Sequence, residues 1–414
     1  METVLKVKAA LPRPGNGRMQ EHAAIVMRGD RIVDLLSWED ADAAYPGVKV
    51  DFRPDLWAVP GFIDAHVHLS FSCRNDPYLD MLGEMNDQPL MMLRLVRNAQ
   101  ASILAGVTTV RDCGAGTEGI YALRDAVSAG TLRGSSIVAS GRPFTVTGGH
   151  CWYLNREVEG EDNVRREARQ AIKDGADFLK MMISGGNMTP NSGSGVLQYT
   201  QAEVDAFAGE ARMRGKMTSA HVHSTECIRM AVRAGVSTLE HCSFRGNDGN
   251  IDYDAPLVDE MARKGIILCP AFSASYRTPL SCFPEEKRDF WRVFRRERME
   301  VTGRILSQGV RFALGTDAGC HLTEFSDYAL CFGILKEHLG MSNAAILDCA
   351  TMAAAECCGL EKELGSLERG KRADVALLGG NPLDDLAHGG DVRAVYQFGR
   401  LVVDDGKITP VPAM

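Results

Sequence analysis

The 414-residue sequence has no CxxC pair, no surplus of positive charge, no low-complexity tract and no apolar run near the roughly 18 residues of a membrane span. Each absence closes a class. Twelve cysteines, scattered apart from the neighbours Cys357 and Cys358, do not read as a zinc ribbon or a disulfide framework. Free, mostly buried thiols in a reducing cytoplasm are expected instead. A formal net charge of -8 gives no long-range attraction for nucleic acid or an anionic membrane, so neither is expected as a partner. The opening "METVLKVKAALPRPGNG" lacks the apolar stretch of a signal peptide and meets Pro12 early, which sets the expectation of a cytoplasmic protein. What remains is ordinary in bulk: 45% hydrophobic and 24% charged residues, enough for one large enzymatic domain and a smaller partner.

A repeating phrase organises the middle of the chain. A stretch of helical length ends in glycine, and a β-branched or apolar run follows. The instances are "AGVTTVRDCG" from Ala105, "RGSSIVASG" from Arg133, "DGADFLKMMISGG" from Asp174, "RGKMTSAHVHS" from Arg214, "AGVSTLEHCS" from Ala234, "KGIILCPAFS" from Lys264 and "QGVRFALGTDAG" from Gln308. Glycine just past a helix end takes the left-handed conformation without a Cβ penalty. With "LWAVPGFIDAHVH" in front, eight strands alternate with helices, which predicts an α/β chain with a parallel sheet, fitting a (β/α)8 TIM barrel. An open doubly wound sheet would carry a Gly-rich phosphate loop after its first strand, and none is present there.

The flanks differ. Residues 3–58 and the stretch from "RADVALLGGNPLDD" to "VRAVYQFGRLVVDDGKI" alternate short strands with Gly and Asp turns. Both ends are expected to meet in one small β-sandwich domain, residues 1–59 plus 362–414, with a catalytic barrel of 60–361 inserted between them.

"PGFIDAHVHLS", Pro60–Ser70, sets the chemical question. Residues i and i+2 of a strand share a face, so His66 and His68 would stand side by side, with Asp64 on that face too. A surface strand with chance histidines is the plainer alternative. The rest of the chain argues for a metal site, because the unusual polar residues all sit at strand C-terminal ends: His66, His68, Lys180, His221, His223, His241 and Asp317. In a barrel those ends converge on one mouth. Imidazole nitrogens and a carboxylate suit zinc or a similar divalent ion, and the number of ligands suggests two ions. Lys180 ends an apolar run, where a charge needs a partner. A salt bridge is the plain account of it. Alternatively, its neutral amine can take up carbon dioxide, giving a carbamate whose two oxygens bridge two metals.

These motifs ("GFIDAHVH", "DFLKMM", "SAHVHS", "LEHCS", "LGTDAG" and the tail "LGSLERGKRADVALLGGNPL") resemble those of the amidohydrolase superfamily, in the same order over nearly the whole chain. The resemblance implies the barrel, the terminal β-sandwich and a binuclear centre, with zinc the first expectation. His66, His68, Lys180 and Asp317 would hold one ion; Lys180, His221 and His241 would hold the other. Strand five offers both His221 and His223. The spacing to His241 resembles that of related sequences when counted from His221, leaving His223 for substrate. "TGGHC" and "SGGNMTPNSGSGVLQYTQAEV" resemble the branch of Xaa-Pro dipeptidases and N-acyl amino-acid hydrolases, close to the ochratoxin-hydrolysing amidases. In that branch His150 would face the substrate carbonyl, although Cys151 stands where glycine is usual. The implied activity is amide hydrolysis by a hydroxide bridging two metals, with Asp317 as general acid and base. A small-molecule amide or dipeptide is the expected partner, and family habit implies a homo-oligomer.

The loops speak less distinctly. Tyr276 and Arg277 follow strand seven, and Arg277 could pair with a substrate carboxylate or simply be solvated. "PEEKRDFWRVFRRERME" reads mainly as a helix packed on the barrel through Phe290, Trp291 and Phe294, rather than as a substrate lid. His321 lies near the mouth without an assignment, while His22, His338 and His388 read as structural or exposed. Two alternatives stand beside amide cleavage: a deaminase or cyclic-amide hydrolase of the same superfamily, and a silent scaffold, which would be expected to lose its ligands.

Overall fold

The computed structural model describes residues 2–411 apart from 75–76, 85–86, 247, 273–275, 277 and 284. It is an α/β fold built on parallel sheets. Eight parallel strands, β1–β8, run Phe62–Val67, Val107–Asp112, Ser136–Ala139, Leu179–Met182, Thr218–Ser224, Thr238–Arg245, Ile267–Cys269 and Arg311–Phe312. β1, β2 and β3 form one sheet in that order, and β4 to β8 lie in sequence order in a second. Two-residue strands, Phe144–Thr145 and Arg156–Glu157, extend the second sheet beyond β4. Hydrogen bonds join the sheets at both edges. The Asp177 N–H donates to the Ala139 carbonyl at 2.8 Å, and the Ala65 N–H donates to the Leu314 carbonyl at 2.9 Å.

The expected punctuation is present. The Thr225–Ala234 helix ends at Gly235 with φ 75°, and the Ala255–Lys264 helix ends at Gly265 with φ 66°. Strand β5 stops where Ser224 turns from strand residue to helix cap, its hydroxyl accepting from the Cys227 N–H. Every residue of β1, β2 and β4 is buried, as expected of strands covered on both faces.

Both chain ends meet in one nine-stranded sheet. Lys49–Pro60 sits at its centre, pairing in parallel with Glu2–Ala10 and antiparallel with Val375–Leu378. The latter pairing joins segments more than 300 residues apart in sequence, from Trp57↔Leu378 to Pro60↔Val375. Because Lys49–Pro60 runs on into β1, the terminal sheet anchors the strand that carries His66. Among the described residues, no helix is long and apolar enough to cross a membrane.

Candidate metal centre

The site is assembled from strand ends. His66 lies in β1 and His68 just past it; Lys180 lies in β4, His221 and His223 in β5, and His241 in β6. Asp317 follows β8. His241 and Asp317 have left-handed backbones, φ 65° and 59°, a strain that in a non-glycine residue costs about 1–3 kcal/mol and gathers at functional sites. All seven line a cavity of about 290 Å³, together with His150, which is buried in the loop after Phe144–Thr145.

Two groups share this space. Ligand atoms of His221, His223 and His241 come within 4.8 Å of one another, as do those of His66, His241 and Asp317. Asp317 Oδ1 lies 3.5 Å from His66 Nε2 and 3.4 Å from His68 Nε2. The His221 ring is 4.6 Å from that of His241 and 4.7 Å from that of His223. His150 stacks on His221 at 4.6 Å.

Burial sets the protonation states. It holds His221 far below the ordinary imidazole range, aided by His150, His241 and His223 around it. It acts likewise on His241, beside His223, and takes His150 and His223 down to about 3. Neutral rings with free lone pairs are the form that binds a metal. Burial opposes ionisation of Asp317 too, but His68, His66 and His241 overcome it and hold the carboxyl far below its usual range. His68 is shifted upward, Asp317 outweighing the burial.

Partners behind the rim fix the rings. His66 Nδ1 meets Glu240 Oε2 at 2.7 Å, and His68 Nδ1 meets the Gly114 carbonyl at 2.9 Å. Glu240, fully buried, also accepts from Arg111 at 2.6 Å, Ser219 at 2.7 Å and Thr238 at 2.9 Å. Such contacts select the tautomer that turns the other ring nitrogen to a ligand. Asp64 has a different task from the one its spacing suggests: it accepts from the Thr316 N–H at 3.0 Å and the Thr316 hydroxyl at 2.5 Å, tying β1 to the turn that carries Asp317.

The donor set fits divalent ions. Among the described residues, Lys180 Nζ, in a residue 1% exposed, has no hydrogen-bond partner, and neither has buried His150 Nδ1. An orphaned amine amid six ligand-type side chains is a costly arrangement unless something else completes it.

Other sequence expectations fare unevenly. The structure does not bring Tyr276 to this cavity: its hydroxyl donates to the Arg295 carbonyl at 2.7 Å, and its ring lies 5.2 Å from His338 in a separate depression. Arg277 lies outside the described residues. The Glu285–Ser307 helix forms as expected, but Trp291 and Phe294 line the cavity with Phe283, and Phe290 is 62% exposed. This corrects the reading of that face as packed on the barrel. His321 lines the cavity as well. Sequence reasoning missed Glu240 and Arg111, although the Glu preceding His241 in "LEHCS" was a signal. It also missed Arg298, seven residues after Trp291 on one helix face, which is buried at the cavity wall and donates to the Ala271 carbonyl at 2.9 Å.

The amidohydrolase family profile matches residues 57–402, most of the chain, and the protein belongs to that family. It is a metal-dependent hydrolase acting on amide C–N bonds. The chain is 27% identical to ochratoxinase of Aspergillus niger over 412 residues, covering 92% of this chain and 82% of that protein. It is 26% identical to imidazolonepropionase of Symbiobacterium thermophilum over 446 residues, covering 97% and 93%. The crystal structure of a prolidase complexed with N-methylphosphonate-L-proline superposes with a TM-score of 0.84 at 29% identity, covering 97% of this chain and 99% of that one.

Proposed function

We propose that the protein cleaves the amide bond of an N-acyl amino acid or Xaa-Pro dipeptide at a two-ion centre, zinc the first expectation. His66, His68, Lys180 as its carbamate and Asp317 would hold one ion; Lys180, His221 and His241 would hold the other. The single observation that carries this reading is the buried Lys180 amine, which has no hydrogen-bond partner among the described residues. When bound, the ions supply a nucleophile at neutral pH and polarise the scissile carbonyl.

The chain's own residues do the rest. Asp317 accepts a proton at a carboxylate oxygen and delivers it to the departing nitrogen, since an amine leaves poorly unless protonated. His150 directs a ring nitrogen at the carbonyl oxygen and helps hold its developing charge. His223, held at Nδ1 by the Ser243 hydroxyl at 2.9 Å, offers its other nitrogen to substrate or to the ion beside His241. Phe283, Trp291 and Phe294 take the substrate's apolar part, and Arg298 meets its carboxylate.

The eight strands close into a barrel of residues 60–361, and the nine-stranded sheet folds into a sandwich of 1–59 plus 362–414. The hydrogen bonds at both sheet edges and the family membership support that architecture. The reading is completed by a reducing, cytoplasmic setting, supported by free and mostly buried thiols, and by a homo-oligomer, supported by the family resemblance.

Elemental analysis of chelator-free protein beside Lys180→Ala tests the centre. About two ions per chain, falling with the lysine, is the expected result. One ion indifferent to Lys180 would bring a deaminase forward. The likeness to imidazolonepropionase favours a second reading, hydrolysis of a cyclic amide. Turnover of cyclic amides with none of N-acyl amino acids or Xaa-Pro dipeptides would establish it.

A further inference from the structure

We propose that Cys320 is a sulfur ligand of the ion held by His66, His68 and Asp317. The inference rests on the two-ion reading and adds a soft donor to it.

The backbone is built to deliver this thiol. Asp317 is left-handed, and the Cys320 N–H donates to the Asp317 carbonyl at 3.1 Å, closing a tight turn. Gly319 inside that turn has φ 100°, and a Cβ there would lie 2.2 Å from the His68 carbonyl oxygen. Only glycine lets the turn press so closely on the residue after β1. The contact is sewn from the other side by the His68 N–H, which donates to the Ala318 carbonyl at 2.8 Å. As a result the ligand atoms of His68, Asp317 and Cys320 lie within 4.8 Å of one another. Cys320 is 3% exposed and lines the same cavity as the Lys180 amine, which has no hydrogen-bond partner among the described residues, a second sign that this space is short of a bound group.

Two other thiols lie near, and both have other contacts. Cys151 meets His150 Nε2 at 3.5 Å and receives the Tyr153 hydroxyl at 3.6 Å. Cys113 groups with His66 and Glu240, which are already bonded to each other through His66 Nδ1 at 2.7 Å, and its thiol points to the Ala65 carbonyl at 3.9 Å. The Cys320 thiol has a contact as well, but it is with the Asp317 side chain, so it stands against two of the groups assigned to the ion, His68 and Asp317.

Sulfur ligation has consequences a nitrogen and oxygen site lacks. On binding, the S–H bond breaks as the S–metal bond forms, and the proton leaves to solvent. Thiolate favours zinc, cadmium and cobalt over manganese or magnesium. The site would therefore discriminate among ions on the Asp317 side.

The test is optical. Intact protein freed of metal and loaded with cobalt(II) should show a near-ultraviolet sulfur-to-cobalt charge-transfer band, lost in Cys320→Ser and kept in Cys113→Ser and Cys151→Ser. Zinc affinity should fall about 10- to 100-fold in Cys320→Ser, with manganese affinity unchanged. Two cobalt ions without the band would overturn the role of Cys320 and leave the two-ion reading standing. A band that survives Cys320→Ser would overturn it too. Failure to bind cobalt would overturn both. The wild-type spectrum needs no variant to fold.

Discussion

The two sides of the cavity differ in one histidine: burial lowers His66 on β1 as it lowers the β5 and β6 rings, and only His68 is raised. On β5 and β6, His221, His223 and His241 crowd one another, and burial holds all three below the ordinary imidazole range. On β1, His66 and His68 face Asp317, and His68 is shifted upward by it. The supports differ as well. His66 leans on a buried carboxylate that is itself paired with Arg111, whereas His223 leans on a serine hydroxyl. One side is a cluster of neutral nitrogen donors; the other carries an anion that can move a proton. The division of labour follows from burial and neighbours, since the residue type is shared.

Three substitutions would break or sharpen this contrast. Asp317→Asn removes the anion and should lower kcat by about 10²- to 10⁴-fold in steady-state assays; a loss below tenfold would take the proton-transfer role away from Asp317. Glu240→Gln leaves Arg111 charged and buried, and should cost about 3–5 kcal/mol of stability in denaturant titration. An unchanged midpoint would mean that the Arg111 charge is compensated elsewhere. If the proposed two-ion centre is right, His223→Asn, which removes a nitrogen offered beside His241, should weaken retention of the His221–His241 ion by about tenfold. In competition with a chelator, equal weakening of both ions would erase the distinction between the sides.

Much of this was legible beforehand for a physical reason. A polar residue at the end of an apolar strand has few structural uses, so His66, His68, Lys180, His221, His241 and Asp317 stood out, and they line one cavity. Glycines after helices marked the strands because left-handed backbone is cheap only there. Glu240 and Arg111 escaped notice because they point inward from their strands, where only packing reveals a charge pair. Arg298 and Trp291 sit on a helix whose pattern reads equally well as a packed or a lining face; tertiary placement decided it. Tyr276 was a reasonable substrate contact by position, but the Arg295 carbonyl captured its hydroxyl. Pairing of Val375–Leu378 with Trp57–Pro60 is a contact between distant segments that no local pattern specifies.

That last pairing carries a consequence for biosynthesis. Ribosomes add roughly 5–20 residues per second, so tens of seconds separate the emergence of His66 from that of Val375. Throughout that interval the strand leading into β1 has an unmatched edge, and the first two histidines hang from an unfinished support. Assembly of the histidine-lined cavity is thereby postponed until the late part of the chain has been translated. The nascent polypeptide presents its histidines to cellular metal long before it can hold them in place.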